Sequence, residues 1–302
     1  METLNIVFIG CVETSYQLLN HLLENANDRV KIVGVVTKES STFHSDFQSL
    51  KPLAARFNIP LFNYNQNKTE MNDWLKHIKP DIIYCFGWSH LLNEDTLSIP
   101  EKGVIGFHPT KLPENRGRHP IVWTLALGLN ETASTFFYMK ENADDGEIIS
   151  QSIIPLENRE NARTLYNKII HTAKDQMIEM TYHLAKDNVT PVIQNDSHAN
   201  YWRKRCKEDG RIDWRMSTAA IDRLVRALTS PYIGAHVEYQ TQEIKVLEAF
   251  PVEVSNKTLV NIEPGKVVAV NGSRIQVKCS DGIIELIEHD FQTLPEAGEY
   301  LM

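Results

Sequence analysis

Short apolar runs alternate with amphipathic segments through the first two-thirds of the chain. Leu4–Gly10 is apolar and ends in glycine, the pattern of a strand buried on both faces and closed by a tight turn. Thr14–Leu23 has apolar residues at helical spacing, with Thr14 as the predicted N-cap. Val30–Thr37 predicts a second strand, Lys38–Ser49 a polar loop, Lys51–Phe57 a short helix and Ile59–Phe62 a short strand. Glu70–His77 is helical, and Asp81–Phe86 is a buried strand running into Gly87–Leu92. Val104, Ile105 and Phe107 form the next strand, which stops at His108 because Pro109 cannot donate to a ladder. Pro109–Pro120 has loop composition, and Ile121–Leu127 is a helix. Residues 132–151 read as strand, turn at Asn142–Gly146, and strand. Asn161–Leu184 is a long amphipathic helix whose Met and Leu stripe faces a core. Strands alternating with helices predict an α/β, Rossmann-like domain with a mostly parallel sheet over residues 1–190.

The pattern then changes. Val189–Ala199 is polar and irregular, and residues 191–206 are expected to be a linker. Tyr201–Trp214 interleaves aromatics with Arg203, Lys204 and Arg205. That suits a nucleotide or nucleic-acid contact, or a basic linker anchored by Trp202 and Trp214. Thr218–Leu228 is a helix. Short strands follow at Ala235–Tyr239, Glu243–Phe250, Gly265–Val270, Arg274–Cys279 and Ile283–His289, with turns at Asn271–Gly272 and Asp281–Gly282. Residues 207–302 therefore predict a small β-barrel domain.

Composition narrows the class. The 302 residues are 42% apolar and 23% charged, as in ordinary globular proteins. A net charge of −8 argues against broad nucleic-acid binding. No apolar run approaches the roughly 20 residues that span a bilayer. The N-terminal residues read as a strand and not as a signal peptide. Cys11, Cys85, Cys206 and Cys279 are scattered, without metal-site spacing, so reduced thiols in a cytoplasm and no metal are expected. C-V-E-T-S follows Gly10, so the G-x-G-x-x-G of dinucleotide binding is absent. Gly10 is then either a tight turn or part of a turn lining a site for a substrate phosphate.

The candidate chemistry lies where a buried strand opens into a polar loop. His108 ends the strand, Lys111, Arg116 and Arg118 follow it, and Asp144 stands in the turn D-D-G. H-P-T-K-L-P-x-N-R-G, then E-T-A-S-T-x-x-x-M and A-D-D-G-x-I, resembles the folate-dependent formyltransferase family over nearly the whole chain. Within that family the likeness is nearest the two-domain branch of methionyl-tRNA formyltransferase and the nucleotide-sugar N-formyltransferases. It implies a second domain that is OB-like, N10-formyltetrahydrofolate as co-substrate, and His108 and Asp144 as catalytic residues. The family motif is Asn-x-His, and its Asn falls on Gly106. The resemblance also places Phe86, Gly87, Trp88 and Leu91, with Asn142 and Ala143, around the folate; Trp88 and Leu91 are equally readable as core residues. Gly10, Arg116 and Arg118 are the candidate substrate contacts, the arginines as grips for a diphosphate or a carboxylate or else as surface residues.

Formyl transfer needs a proton acceptor, an oxyanion stabiliser and a dry pocket. Gly106 cannot supply the family's amide donor. Three outcomes follow: a substitute donor such as Ser89, His90, a backbone N–H or a water; a slow enzyme; or a non-catalytic folate or nucleotide-sugar binding protein. The substitute donor is expected, because the surrounding loop, His108 and Asp144 are intact. For the acceptor, Lys38–Ser49 sets one Lys against Glu39 and Asp46, where a tRNA formyltransferase carries a basic insertion. Lys207–Met302 holds ten Lys/Arg against fifteen Asp/Glu. The first expectation is the primary amine of a nucleotide-linked amino-deoxy sugar, and the runner-up is methionyl-tRNA. No membrane partner and no nucleic acid are expected, and a homodimer is allowed.

Overall fold

The computed structural model describes residues 3–41, 45–253 and 261–301. Its chain forms two compact units. The first comprises Met1–Pro120, Glu131–Pro155 and Asn167–Arg203; the second comprises Ile121–Asn130, Leu156–Tyr166 and Lys204–Met302.

The first unit holds a seven-stranded sheet in the order β3-β2-β1-β4-β5-β7-β8. These strands are β1 (Leu4–Ile9), β2 (Val30–Thr37), β3 (Leu61–Asn63), β4 (Ile82–Cys85), β5 (Val104–His108), β7 (Glu131–Tyr138) and β8 (Ile148–Pro155). The first five are parallel to one another, whereas β7 runs antiparallel to β5 and to β8. The helices between them are α1 (Glu13–Asn25), α2 (Lys51–Arg56), α3 (Lys68–Ile78) and α4 (Glu94–Leu97). A two-stranded parallel piece joins β6 (Arg116–Gly117) to β9 (Tyr201–Trp202).

The continuous apolar runs have a direct cause. Along β1, Ile6 and Phe8 enter one core with Leu18 and Leu22 of α1 and with Met177 and Met180 of α6 (Ala162–Leu184). Val7 and Ile9 enter a second core with Met71 and Leu75 of α3. Tyr84 and Ile83 of β4 divide between the two cores in the same way. Both faces are buried, so Asn5, near the strand's start, is the one polar residue in β1. The strand order reverses between β1 and β4, the switch point outside which such sheets hold ligands.

Three expectations change on inspection. Val12, not Thr14, is the N-cap of α1. The Ser15 hydroxyl accepts from the Val12 amide at 3.4 Å and donates to the Phe86 carbonyl at 2.6 Å, tying the helix start to the end of β4. The short helix α4, capped by Asn93, has no apolar stripe and no counterpart in the periodicity. The stretch Val189–Ala199 does not hang free: Val192 exchanges both backbone hydrogen bonds with Ile148 at 2.8 Å. Of the loop Lys38–Ser49, residues 42–44 lie outside the described residues.

The second unit carries α5 (Pro120–Ala126), α7 (Thr218–Leu228) and a five-stranded antiparallel sheet in the order β10-β11-β14-β13-β12. Its strands are β10 (Ala235–Tyr239), β11 (Gln242–Val252), β12 (Val267–Asn271), β13 (Arg274–Lys278) and β14 (Ile283–His289). Ile221, Leu224, Val225 and Leu228 form the buried stripe of α7. Trp214 is 5% exposed in this unit, and the Arg205 guanidinium lies 4.7 Å from the centre of the Trp123 ring. No helix among the described residues is long and apolar enough to cross a membrane.

Burial sets the thiol chemistry. It pushes Cys11 up to about 11, Cys279 up to about 12, and Cys85 further still, while Cys206 is exposed. Brief iodoacetamide treatment of the native protein at neutral pH is expected to alkylate Cys206 alone, and all four thiols once the chain is denatured. Mass spectrometry of the adducts checks this, and native labelling of Cys85 would contradict it.

Candidate active site

His108 closes β5 and is 5% exposed. Its Nε2 lies 2.9 Å from the carbonyl oxygen of Asn115. A carbonyl only accepts, so Nε2 carries the proton and donates. The neutral ring therefore keeps its lone pair on Nδ1. That nitrogen faces Asp144, with Oδ2 at 3.7 Å. The Asp144 carboxylate accepts from the Gly117 amide at 2.8 Å. Nδ1 thus points at an anchored carboxylate, with the His108 side chain 7% and the Asp144 side chain 18% exposed.

The backbone around the pair explains the residue types. Asn115 (φ 64°) and Asp144 (φ 58°) are both left-handed, and Asn and Asp tolerate that region best among residues with a Cβ. Gly146 of D-D-G is required by contact: a Cβ there would lie 1.6 Å from the Tyr138 carbonyl oxygen. The loop from His108 is tied down by Thr135, whose hydroxyl donates to the Thr110 carbonyl at 2.6 Å.

Residues from beyond α6 complete the support, and nothing local in the sequence pointed to them. Gln194 donates from Nε2 to the carbonyls of Asp144 (2.8 Å) and Gly146 (2.6 Å). Its Oε1 accepts from the Arg116 guanidinium at 2.9 and 3.2 Å. Asn200 accepts from the Asn115 amide at 2.8 Å and donates to the Asn115 side chain at 3.0 Å. The backbone of Asn200 and Trp202 accepts from the amides of Arg116 and Arg118. Only a register of donors and acceptors 48–85 residues apart reveals these partners.

The expected ligand contacts divide. Arg116 is corrected from substrate grip to structural brace: it is 2% exposed, and its guanidinium also binds the Tyr201 hydroxyl and Asp196. Phe86 is corrected from folate contact to core. Its ring is fully buried, stacked on Tyr84 with centroids 5.3 Å apart, its amide donates to Ile9, and its carbonyl takes the Ser15 hydroxyl. Gly10 is buried, and a Cβ there would lie 2.5 Å from Ser15 and 2.7 Å from the Phe86 carbonyl; it is a packing glycine and not an open phosphate turn. Arg118 stays exposed. Gly87 (φ 62°) turns the chain at the end of β4, where a Cβ would strike Val12 at 2.1 Å. Beyond it Trp88 sits edge-on to Tyr64 at 5.1 Å with Lys38 over its ring, and Leu91 is 61% exposed. Asn142 is exposed and donates to Asp145 at 2.9 Å, and Ala143 is half-buried beside it. Trp88, Leu91, Asn142 and Ala143 keep surface that a flat heterocycle could use. Among the described residues, no group of three or more His, Cys, Asp or Glu could hold a metal.

The Asn-x-His position is filled rather than empty. A Cβ on Gly106 would lie 2.7 Å from the Phe137 ring and 2.8 Å from Met139 Cγ. Phe137 is the residue paired with Gly106 across the β5–β7 ladder. No amide fits there without displacing that ring.

A family model for formyl transferases matches residues 4–181, and one for the formyl transferase C-terminal domain matches residues 205–296. The chain belongs to the formyl transferase family. Solved formyl transferases share its fold. An N-formyltransferase from Helicobacter canadensis, in complex with folinic acid and dTDP-3-aminofucose, aligns over 96% of this chain and 100% of its own, at 15% identity and a TM-score of 0.72. Methionyl-tRNA formyltransferase from Clostridium thermocellum aligns over 94% and 99%, at 16% identity and a TM-score of 0.60. HypX from Aquifex aeolicus, in complex with tetrahydrofolic acid, matches 95% of this chain at 17% identity and a TM-score of 0.68. The chain spans only 44% of HypX. At these identities the likeness is one of fold.

This formyl transferase therefore departs from the Asn-x-His motif by packing, not by leaving a hole. Gly106→Asn is expected to lower the melting temperature, at a cost of about 1–3 kcal/mol from overpacking, and to leave kcat/KM no higher. Thermal unfolding beside steady-state kinetics checks it; a tenfold gain in kcat/KM would mean the position is open.

Proposed function

We propose that this chain transfers the formyl group of N10-formyltetrahydrofolate to the primary amine of a nucleotide-linked amino-deoxy sugar. The observation that carries the transfer chemistry is His108, with Nε2–H held by a carbonyl and Nδ1 open toward Asp144. The amine attacks the formyl carbon and becomes a tetrahedral ammonium adduct. Nδ1 takes the ammonium proton, and the imidazolium so formed faces the Asp144 carboxylate. The proton then passes to N10 as the C–N10 bond breaks, leaving tetrahydrofolate and the formamide. Losing one side-chain oxyanion donor costs about 10²–10³ in rate, so proton handling by the pair has to carry much of the acceleration.

Trp88, Leu91, Asn142 and Ala143 are the residues assigned to the folate, and Arg118 to the acceptor's phosphates. The choice of a sugar nucleotide rests on charge. Fifteen acidic against ten basic residues from Lys207 onward give an RNA backbone little to bind. The solved relative with dTDP-3-aminofucose supports the same choice. The chain is expected to work in the cytoplasm, where the folate co-substrate and reduced thiols coexist.

His108→Asn and Asp144→Asn are each expected to lower kcat by at least about 10²-fold with circular dichroism unchanged. Near-wild-type turnover of His108→Asn would remove the pair from the chemistry. Purified protein with N10-formyltetrahydrofolate is expected to release tetrahydrofolate when dTDP- or UDP-linked amino sugars are added, and not with charged initiator tRNA. Saturable tRNA binding with a steep salt slope, together with its formylation, would make the chain a tRNA formyltransferase. Release with neither acceptor class would leave a binding protein.

A further inference from the structure

The segment between α6 and the second unit reaches the catalytic pair by two routes, through Asn115 to His108 and through the main chain of the Asp144 turn. We infer that Asn200 and Gln194 are positioning residues of catalysis: Asn200 sets the tautomer of His108 through Asn115, and Gln194 sets the Asp144 turn. The inference rests on formyl transfer and not on which amine is the acceptor.

The geometry is reciprocal. Asn200 and Asn115 exchange two hydrogen bonds, Asn115 N–H to Oδ1 at 2.8 Å and Asn200 Nδ2 to Oδ1 at 3.0 Å. The Asn200 carbonyl accepts from the Arg116 amide at 3.0 Å. Both peptides flanking the Asn115 carbonyl are thus held, and that carbonyl is the acceptor for His108 Nε2–H. Without the clamp, Asn115 has little reason to stay at φ 64°. If its carbonyl turned away, the His108 proton could move to Nδ1 and donate to Asp144, and the ring would no longer offer a base on that side.

Gln194 works on the other partner. It is 8% exposed and holds the carbonyls of Asp144 and Gly146 with one NH₂ group. Its carbonyl is fixed by the buried Arg116 guanidinium. The amide cannot flip, because an oxygen would then face two carbonyl oxygens and its NH₂ a cation. Arg116 therefore orients Gln194, and Gln194 orients the turn that carries Asp144.

The test uses the full chain labelled with ¹⁵N. Long-range ¹H–¹⁵N spectra report the protonated nitrogen of each imidazole, and His108→Asn assigns the signal. Wild type is expected to show Nε2–H. Asn200→Ala is expected to mix or invert the tautomer and to lower kcat by about 10- to 100-fold, the scale of a small misplacement. KM for N10-formyltetrahydrofolate should stay within about threefold, since the folate contacts are elsewhere. Asn200→Asp keeps the acceptor for the Asn115 amide and is expected to recover most of kcat and the Nε2–H signal. Gln194→Glu retains the Arg116 partner but loses both donors, so kcat should fall with little change in melting temperature; this variant serves if Asn200→Ala does not fold. An unchanged tautomer in Asn200→Ala, or equal kcat losses in the Ala and Asp variants, would overturn the inference. Wild-type kcat in Gln194→Glu would do the same. The tautomer reading needs no acceptor, so a wrong choice of amine cannot imitate this failure.

Discussion

The hydrogen bond from His108 Nε2 to the Asn115 carbonyl is the contact on which the rest of the site depends. It decides which ring nitrogen is basic. It also requires the loop after β5 to turn back on its own strand within seven residues. The left-handed backbone of Asn115, the tie from Thr135 to Thr110 and the clamp from Asn200 all serve that turn. A loop rich in polar groups but poor in apolar side chains has little hydrophobic burial to hold it. Here its order comes from hydrogen bonds, one from the buried Thr135 hydroxyl and a pair shared with the exposed Asn200.

Close approach is the second constraint. Gly10 lets Ser15 reach the end of β4, and Gly146 lets the D-D-G turn lie on the Tyr138 carbonyl. Gly106 belongs with them. Its missing side chain is the space taken by Phe137 and Met139. The substitution at the motif and the aromatic residue opposite it are therefore one structural fact: on adjacent strands, the two positions compete for the same volume. In this formyl transferase apolar packing stands two residues before His108, where the Asn-x-His motif has an amide.

Arg116 shows how charge alone misleads. In the sequence it is one of two loop arginines, and either could hold a phosphate. In the structure it is buried beside Gln194 and hydrogen-bonded to the more exposed Tyr201 and Asp196, while Arg118 two residues on remains exposed. A guanidinium removed from water needs its donors satisfied, and here the segment 194–201 satisfies them. Of these partners Gln194 also braces the Asp144 turn, so the network that satisfies Arg116 reaches the carboxylate facing His108.

The sequence by itself determined the strands, their burial and the place of His108 and Asp144. Doubly buried strands show as apolar runs, and a strand end followed by proline is a local event. The motif residues stood at those ends, so the family was legible as well, and so was the oddity at Gly106. Tertiary structure alone decided which nitrogen of His108 is basic, what fills the space at Gly106, and that Arg116, Phe86 and Gly10 are structural. Polar, irregular composition made Val189–Ala199 look like a linker. Its side chains instead pair with groups as many as 80 residues away. Hydrogen bonding between distant loops leaves no periodicity in a chain, because each partner satisfies the other only after the sheet has brought them together.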